Sequence, residues 1–155
     1  MLEGDLAWLR IPPPRAPARG EQLWEHTCFE AFLAAPGSAA YHELNVSPAG
    51  QWAAHAFARY REGGPLADDG LAPRIAVSRT GNRLALEIVV ALGRLARTYA
   101  TGPLRLALGA VLEGESGALS YWALRHPPGR PDFHHADAFA LTLEPPASPA
   151  GARAS

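Results

Sequence analysis

Lysine is absent from this chain of 155 residues, and all fourteen of its basic side chains are Arg. That excludes Schiff-base lysines, the phosphate-loop lysine and Ser-Lys dyads together. Cys28 is the single cysteine, so no intrachain disulfide can form, and cysteine usage leaves the compartment open. A formal net charge of −1 gives no electrostatic case for nucleic acid or for an anionic membrane surface. No run of about 18 apolar residues marks a membrane span. The opening Met1-Leu2-Glu3-Gly4-Asp5 is acidic and lacks a charged-then-apolar leader. The expectation is a soluble, cytoplasmic protein. No repeat period is present either, and the length suits one domain with a real core.

What the chain does have is a set of short alternating segments. Leu23 to Leu33 and Tyr41 to Trp52 are rich in aromatic and bulky apolar residues and read as the central strands of a sheet. Strand side chains alternate. In the first segment Trp24, His26, Cys28, Glu30 and Phe32 therefore share one face, against Phe29, Ala31 and Leu33 on the other. In the second, Tyr41, Glu43, Asn45 and Ser47 share a face, with His42, Leu44 and Val46 opposite. A mixed polar and aromatic row is either a network inside a covered sheet or the floor of a cleft. Ser47-Pro48-Ala49-Gly50 is tight-turn chemistry and sends Gln51 to Tyr60 back antiparallel, with Trp52 at the same end as Asn45 and Ser47.

Elsewhere, Leu6 to Ile11 reads as a strand ended by Pro12-Pro13-Pro14, and the segment on to Gly20 as an extended connector. Arg61 to Ala72 reads as a loop without elements. Arg74 to Arg79 and Arg83 to Val90 flank Gly81-Asn82 and form the plainest hairpin. Ala91 to Tyr99 is the one helical piece. Leu104 to Leu112, Leu119 to Leu124 and Phe139 to Leu143 complete about nine strands. Short strands joined by Gly/Pro turns, with at most one short helix, predict an all-β, two-sheet antiparallel sandwich. The domain is expected over 1–144, followed by a disordered tail over 145–155.

Leu23 to Leu33, Tyr41 to Ala54, and Tyr121-Trp122-Ala123-Leu124-Arg125-His126 on to Asp132-Phe133-His134-His135 together resemble the bacterial DOMON-like proteins. These belong to the wider group of DOMON domains and family 9 carbohydrate-binding modules. The resemblance spans about Leu2 to Leu143 and implies a β-sandwich that binds sugar or haem. It places Trp24 and Glu30 at the positions that wall and hydrogen-bond a saccharide, and offers Trp122 as a second aromatic. Proteins of this kind carry further strand sequence ahead of the segment matched by Leu2, so a sheet edge is expected to lie exposed here, a route to a homo-oligomer.

Sugar recognition needs aromatic faces and a few fixed polar groups in a concave site. The candidate ligand-binding residues are accordingly Trp24, Glu30, Glu43, Asn45, Trp52, Trp122 and Arg125. The competing reading makes the Trp residues core and the carboxylates partners of Arg. For haem, the initiator is the sole Met, which leaves bis-His ligation from His26, His42, His55, His126 or His134, non-covalent because no attachment motif is present. His26-x-Cys28-x-Glu30 is a poor metal site, since same-face neighbours lie about 6.6 Å apart along a strand. His134-His135-x-Asp137 is looser still. Among nucleophiles, Cys28 is mid-strand and Ser116 lacks the full elbow motif, while Glu30 and Glu43 could serve glycosidase chemistry only at a separation the sequence does not give. The expected function is a non-catalytic binding module for a small carbohydrate-like ligand, with a haem module or a ligand-free interaction domain as alternatives.

Overall fold

The computed structural model describes residues 1–145; most of the segment expected as a tail, 146–155, lies outside the described residues. Among the described residues the chain forms two sheets. The larger has eight strands. At its centre β3 (Cys28–Ala34) pairs antiparallel with β4 (Tyr41–Val46) on one side and β9 (Leu104–Glu113) on the other. Beyond β4 come β5 (Gln51–Arg59) and then two short edge partners, β2 (Ala18–Arg19) and β6 (Glu62–Pro65). Beyond β9 come β10 (Leu119–Ala123) and β11 (Leu141–Leu143). The smaller sheet joins β1 (Leu2–Glu3), β8 (Arg83–Val89) and β7 (Arg74–Thr80). All pairings are antiparallel except the two-residue contact of β2 with β5.

The sheets pack face to face as alternation dictates. Leu33 of β3, Leu44 and Val46 of β4, and Trp52 and Ala54 of β5 point to one side, where Ile75, Leu86 and Ile88 of the small sheet cover them. The short helix α1 (Leu92–Leu95) and the 3-10 turn after it cap this core with Leu95 and Tyr99. Its helical expectation holds for one turn only, because no side chain caps either end. The β7–β8 hairpin is built as predicted, with Gly81 at φ +55° in its turn.

Three elements differ from expectation. Leu6 to Ile11 is not a strand: Leu6 and Leu9 are both buried, three residues apart, and only Leu9 bridges to Gly114. That period of three fits a turn, closed by Leu9 N–H donating to the Leu6 carbonyl at 3.2 Å. Leu23–Glu25 is a 3-10 turn rather than the start of β3. The 61–72 segment, expected as a bare loop, holds β6 and a 3-10 turn at Asp69–Leu71, because Arg61 takes φ +56° and doubles the chain back onto β5.

The other face of the large sheet is covered only in part. Phe133, Ala138 and Phe139, from the segment after β10, pack on Phe32, Ala34, Tyr41, Ala107 and Val111. Where that cover stops, the sheet is open.

Candidate functional site

Sheet register assembles the floor. In one row across β9, β3, β4 and β5 stand Gly109, Glu30, Asn45 and Ala53. In the next stand Ala107, Phe32, Glu43 and His55. Glu30 and Glu43 are therefore diagonal neighbours, close enough for their side chains to interact. The small residues flanking Glu30 leave a hollow. The loop that follows β10 fills part of it: the Phe133 ring lies over Gly109, where a Cβ would meet ring carbons at 2.9 Å. The rest is a cleft of about 360 Å³. Glu30, Glu43 and His55 form its floor, and Trp24, Phe57 and Tyr121 form its apolar walls.

The loop wall is tied down by hydrogen bonds. Arg61 donates from Nη2 to Asp132 Oδ1 (2.8 Å), Tyr60 donates to Asp132 Oδ2 (2.6 Å), and the His134 N–H donates to Asp132 Oδ1 (3.1 Å). Burial alone would raise the Asp132 carboxyl, but these donors and the Arg61 charge hold it below the ordinary range. Behind it, the Arg61 backbone N–H donates to the Tyr41 oxygen (3.0 Å), and Tyr41 O–H lies 2.8 Å from His134 Nδ1. His134 sits among the rings of Phe32, Tyr41 and Phe57, with centroids 4.9 to 5.8 Å away. Burial, with Arg61 and His55 nearby, pushes its pKa down to about 4, so at neutral pH it is uncharged. Its Nδ1 is the ring nitrogen paired with Tyr41, and its Nε2 lies 3.9 Å from Glu43 Oε2.

The two carboxyls differ. Glu43 accepts a 2.7 Å hydrogen bond from Asn45 Nδ2 and has His55 Nδ1 at 4.0 Å. Burial still raises its pKa above the ordinary carboxylate range. Glu30, only 6% exposed, accepts no hydrogen bond and forms no ion pair among the described residues. Burial, reinforced by the charge of Glu43, pushes it up to about 8. It stands protonated at neutral pH and faces the cleft as a hydrogen-bond donor and acceptor.

Of the seven residues read from the sequence, the structure brings Trp24, Glu30 and Glu43 to the cleft, with Trp24 at the rim, 41% exposed. Four need correction. Asn45 shares the row of Glu30 but is fully covered and lines no part of the cleft, and its Nδ2 orients Glu43. Trp52 is buried in the core on the opposite face, with the Arg19 guanidinium 4.3 Å from its ring centroid; with His55 and Phe57 turned to the cleft, alternation forces it there. Trp122 alternates with Tyr121 on β10, so Tyr121 reaches the cleft and Trp122 lines an apolar groove on the other side. Arg125 lies exposed beyond the end of β10 and touches neither. Phe57 and Arg61 carry no role in the sequence reading, His55 enters it only as a haem-ligand candidate, and Tyr121 only as part of the resemblance. The Asp132-Phe133-His134 run, in which only His134 carries a candidate role, as a haem ligand, proves to be the loop wall.

Cys28 is fully buried, and burial, followed by the charge of Glu30, raises its thiol well above the ordinary value, so it offers no nucleophile. His26 turns away to Glu113. Among the described residues no group of three or more His, Cys, Asp or Glu is arranged to hold a metal ion, and no helix is long and apolar enough to cross a membrane.

The fold is similar to that of a solved structure from Bacteroides uniformis, a "putative carbohydrate-binding protein", with a TM-score of 0.58 and 18% sequence identity, covering 88% of this chain and 67% of that one. No family model matches the chain, and no curated protein matches it.

Proposed function

We propose that the protein is a non-catalytic β-sandwich module whose cleft over Glu30 and Glu43 binds a small carbohydrate-like ligand. The observation that carries this reading is a hollow of about 360 Å³ with carboxyl groups on its floor and Trp24, Phe57 and Tyr121 on its walls. Such a combination suits a pyranose, whose ring has apolar faces and whose rim carries hydroxyls. The likeness to the Bacteroides uniformis "putative carbohydrate-binding protein" supports the same reading, as does the resemblance to DOMON-like modules. Haem fits the cleft less well. His134 is engaged by Tyr41 and stands 3.9 Å from Glu43, and an iron at His55 would sit beside the Glu43 carboxyl rather than opposite a second free imidazole.

The test is a thermal-shift and calorimetric screen of the purified chain against mono- and disaccharides, with haemin alongside. A ligand present at a hundred times its Kd stabilises the native state by about 2.7 kcal/mol. A sugar hit that disappears in Trp24→Ala supports the assignment. A haemin hit with a sharp Soret band, or silence from a well-folded sample, overturns it.

A second reading rests on a different place. β1 covers β8 only at Arg83 and Leu84, so among the described residues the β8 edge from Ala85 to Val89 is unpaired, beside a groove lined by Phe29, Leu108, Trp122 and Leu124. Trp122 is 60% exposed there. An open edge beside apolar surface fits self-association through a second copy. Sedimentation of wild type against Val89→Lys decides it: a dimer lost in the variant supports the reading, and a wild-type monomer at high micromolar concentration removes it.

A further inference from the structure

The charges around the cleft do not balance. Among the described residues its one cation is Arg61, already bonded to Asp132, and His134 is neutral. Glu43 has a neutral amide partner, and Glu30 has none among the described residues, although both side chains are more than nine-tenths buried. Two diagonal carboxyls thus face one enclosed space without a matching positive charge. Buried acids are normally paired or held neutral, and a neutral one open to a cleft becomes half of an ion pair when a cation enters. The walls point the same way, since aromatic rings favour a cation over an anion. A ligand carboxylate, by contrast, would meet Glu30, Glu43 and Asp132 together.

We propose that the ligand carries a positively charged amino group seated between Glu30 and Glu43, and that the cleft selects an amino sugar over its neutral, N-acylated and acidic counterparts. The inference rests on the carbohydrate reading for the sugar ring and on the unpaired carboxyls for the charge. An ammonium donates in three directions, enough to engage both acids while the ring lies against the aromatic walls. Seating it draws the proton off Glu30. The charged groups that act on Glu30 are Glu43 on β4 and Arg61 at the β5–β6 turn, and the Cys28 thiol lies beside it on its own strand. Around these stand His55 on β5, Tyr121 on β10, and Asp132 and His134 on the loop.

The experiment is calorimetry on the full chain with glucosamine, glucose, N-acetylglucosamine, glucuronic acid and ethylamine, repeated in buffers of different ionisation enthalpy. Glucosamine is expected to bind at least about tenfold tighter than glucose, a difference of one charge-assisted hydrogen bond, and to release a proton. Glucuronic acid should give no heat. Glu30→Gln, and separately Glu43→Gln, should weaken glucosamine by about thirtyfold or more, as removing one member of a buried charge pair does. Both variants are isosteric, and their circular dichroism and melting curves show whether they are folded. Equal affinity for glucose and glucosamine would overturn the inference and leave the carbohydrate reading standing. Ethylamine binding as tightly as glucosamine, with glucose silent, would keep the cation site and remove the sugar. Silence from every probe would overturn both.

Discussion

Glu113 and Glu30 lie on neighbouring strands, on the same face of the same sheet, and are 5% and 6% exposed. Glu113 takes Arg10 on one carboxylate oxygen and His26 Nδ1 on the other (2.8 Å), while its backbone N–H donates to Thr27 Oγ1 at 3.0 Å. It fastens the Arg10 segment and the start of β3 to the end of β9. Glu30 has none of this. Burial of an acid is therefore no sign of a site in itself. A buried acid whose partners come from the fold is structural, and one without partners among the described residues is where the proposed ligand would supply them.

This contrast can be broken most directly at Glu30. A carboxyl with a folded-state pKa of about 8, against an ordinary value of 4.5, keeps its proton in the native state while the unfolded chain loses it. Stability from this group is full below about pH 4.5 and falls as pH rises toward 8. Glu30→Gln removes that titration. It should raise stability at pH 8 by on the order of 3 to 5 kcal/mol and by almost nothing at pH 4. Urea melts of both proteins across that range measure the difference, and a variant no more stable than wild type at pH 8 would place a hidden partner on Glu30.

Glu113→Gln should have the opposite sign. Losing charge-assisted hydrogen bonds to Arg10 and His26 should cost about 1.5 to 3 kcal/mol at pH 7. A neutral result there would erase the contrast. Tyr41→Phe tests the support behind the cleft. It strands the Arg61 N–H and His134 Nδ1 and should cost about 1 kcal/mol. His134, whose folded pKa near 4 lies below the ordinary 6.5, withdraws stability as pH falls through that interval. The His134 imidazole titration, followed by NMR, should move upward in Tyr41→Phe. Smallest of all, Trp24→Ala should change the melting midpoint little, by roughly 0.5 kcal/mol or less, because Trp24 stands at the rim. A large loss would mean that Trp24 is packing rather than a wall.

Much of this was legible. Period-two alternation put Glu30 and Glu43 on mixed polar faces, the Gly81-Asn82 pair marked the β7–β8 hairpin, and the two-sheet architecture followed from the strand count. The failures have physical causes. Trp52 was grouped with Asn45 by position along the hairpin, yet its register opposite Val46 carries it to the core face. Trp122 differs from Tyr121 by one residue, which on a strand is the whole thickness of the sheet. The Leu23–Glu25 turn buries only Leu23, and three residues are too few for a period to declare itself. His55, Arg61 and the Asp132-Phe133-His134 run meet only through long-range pairing. The tie from Arg61 to Asp132 spans 71 positions, and no local pattern encodes it.

Gly109 gives this arrangement its stiffness. Because position 109 has no side chain, the Phe133 ring can rest on bare backbone, flanked by Phe32, Tyr121 and His126. The loop is thus pinned at Phe133 and again, through Asp132, at Arg61. A wall fastened twice has little freedom left to surrender when a ligand arrives, so most of the contact energy remains as affinity. One methyl group at position 109 would act as a shim under that wall: it would lift Phe133 and turn a preformed cleft into one that must be ordered anew at each binding event.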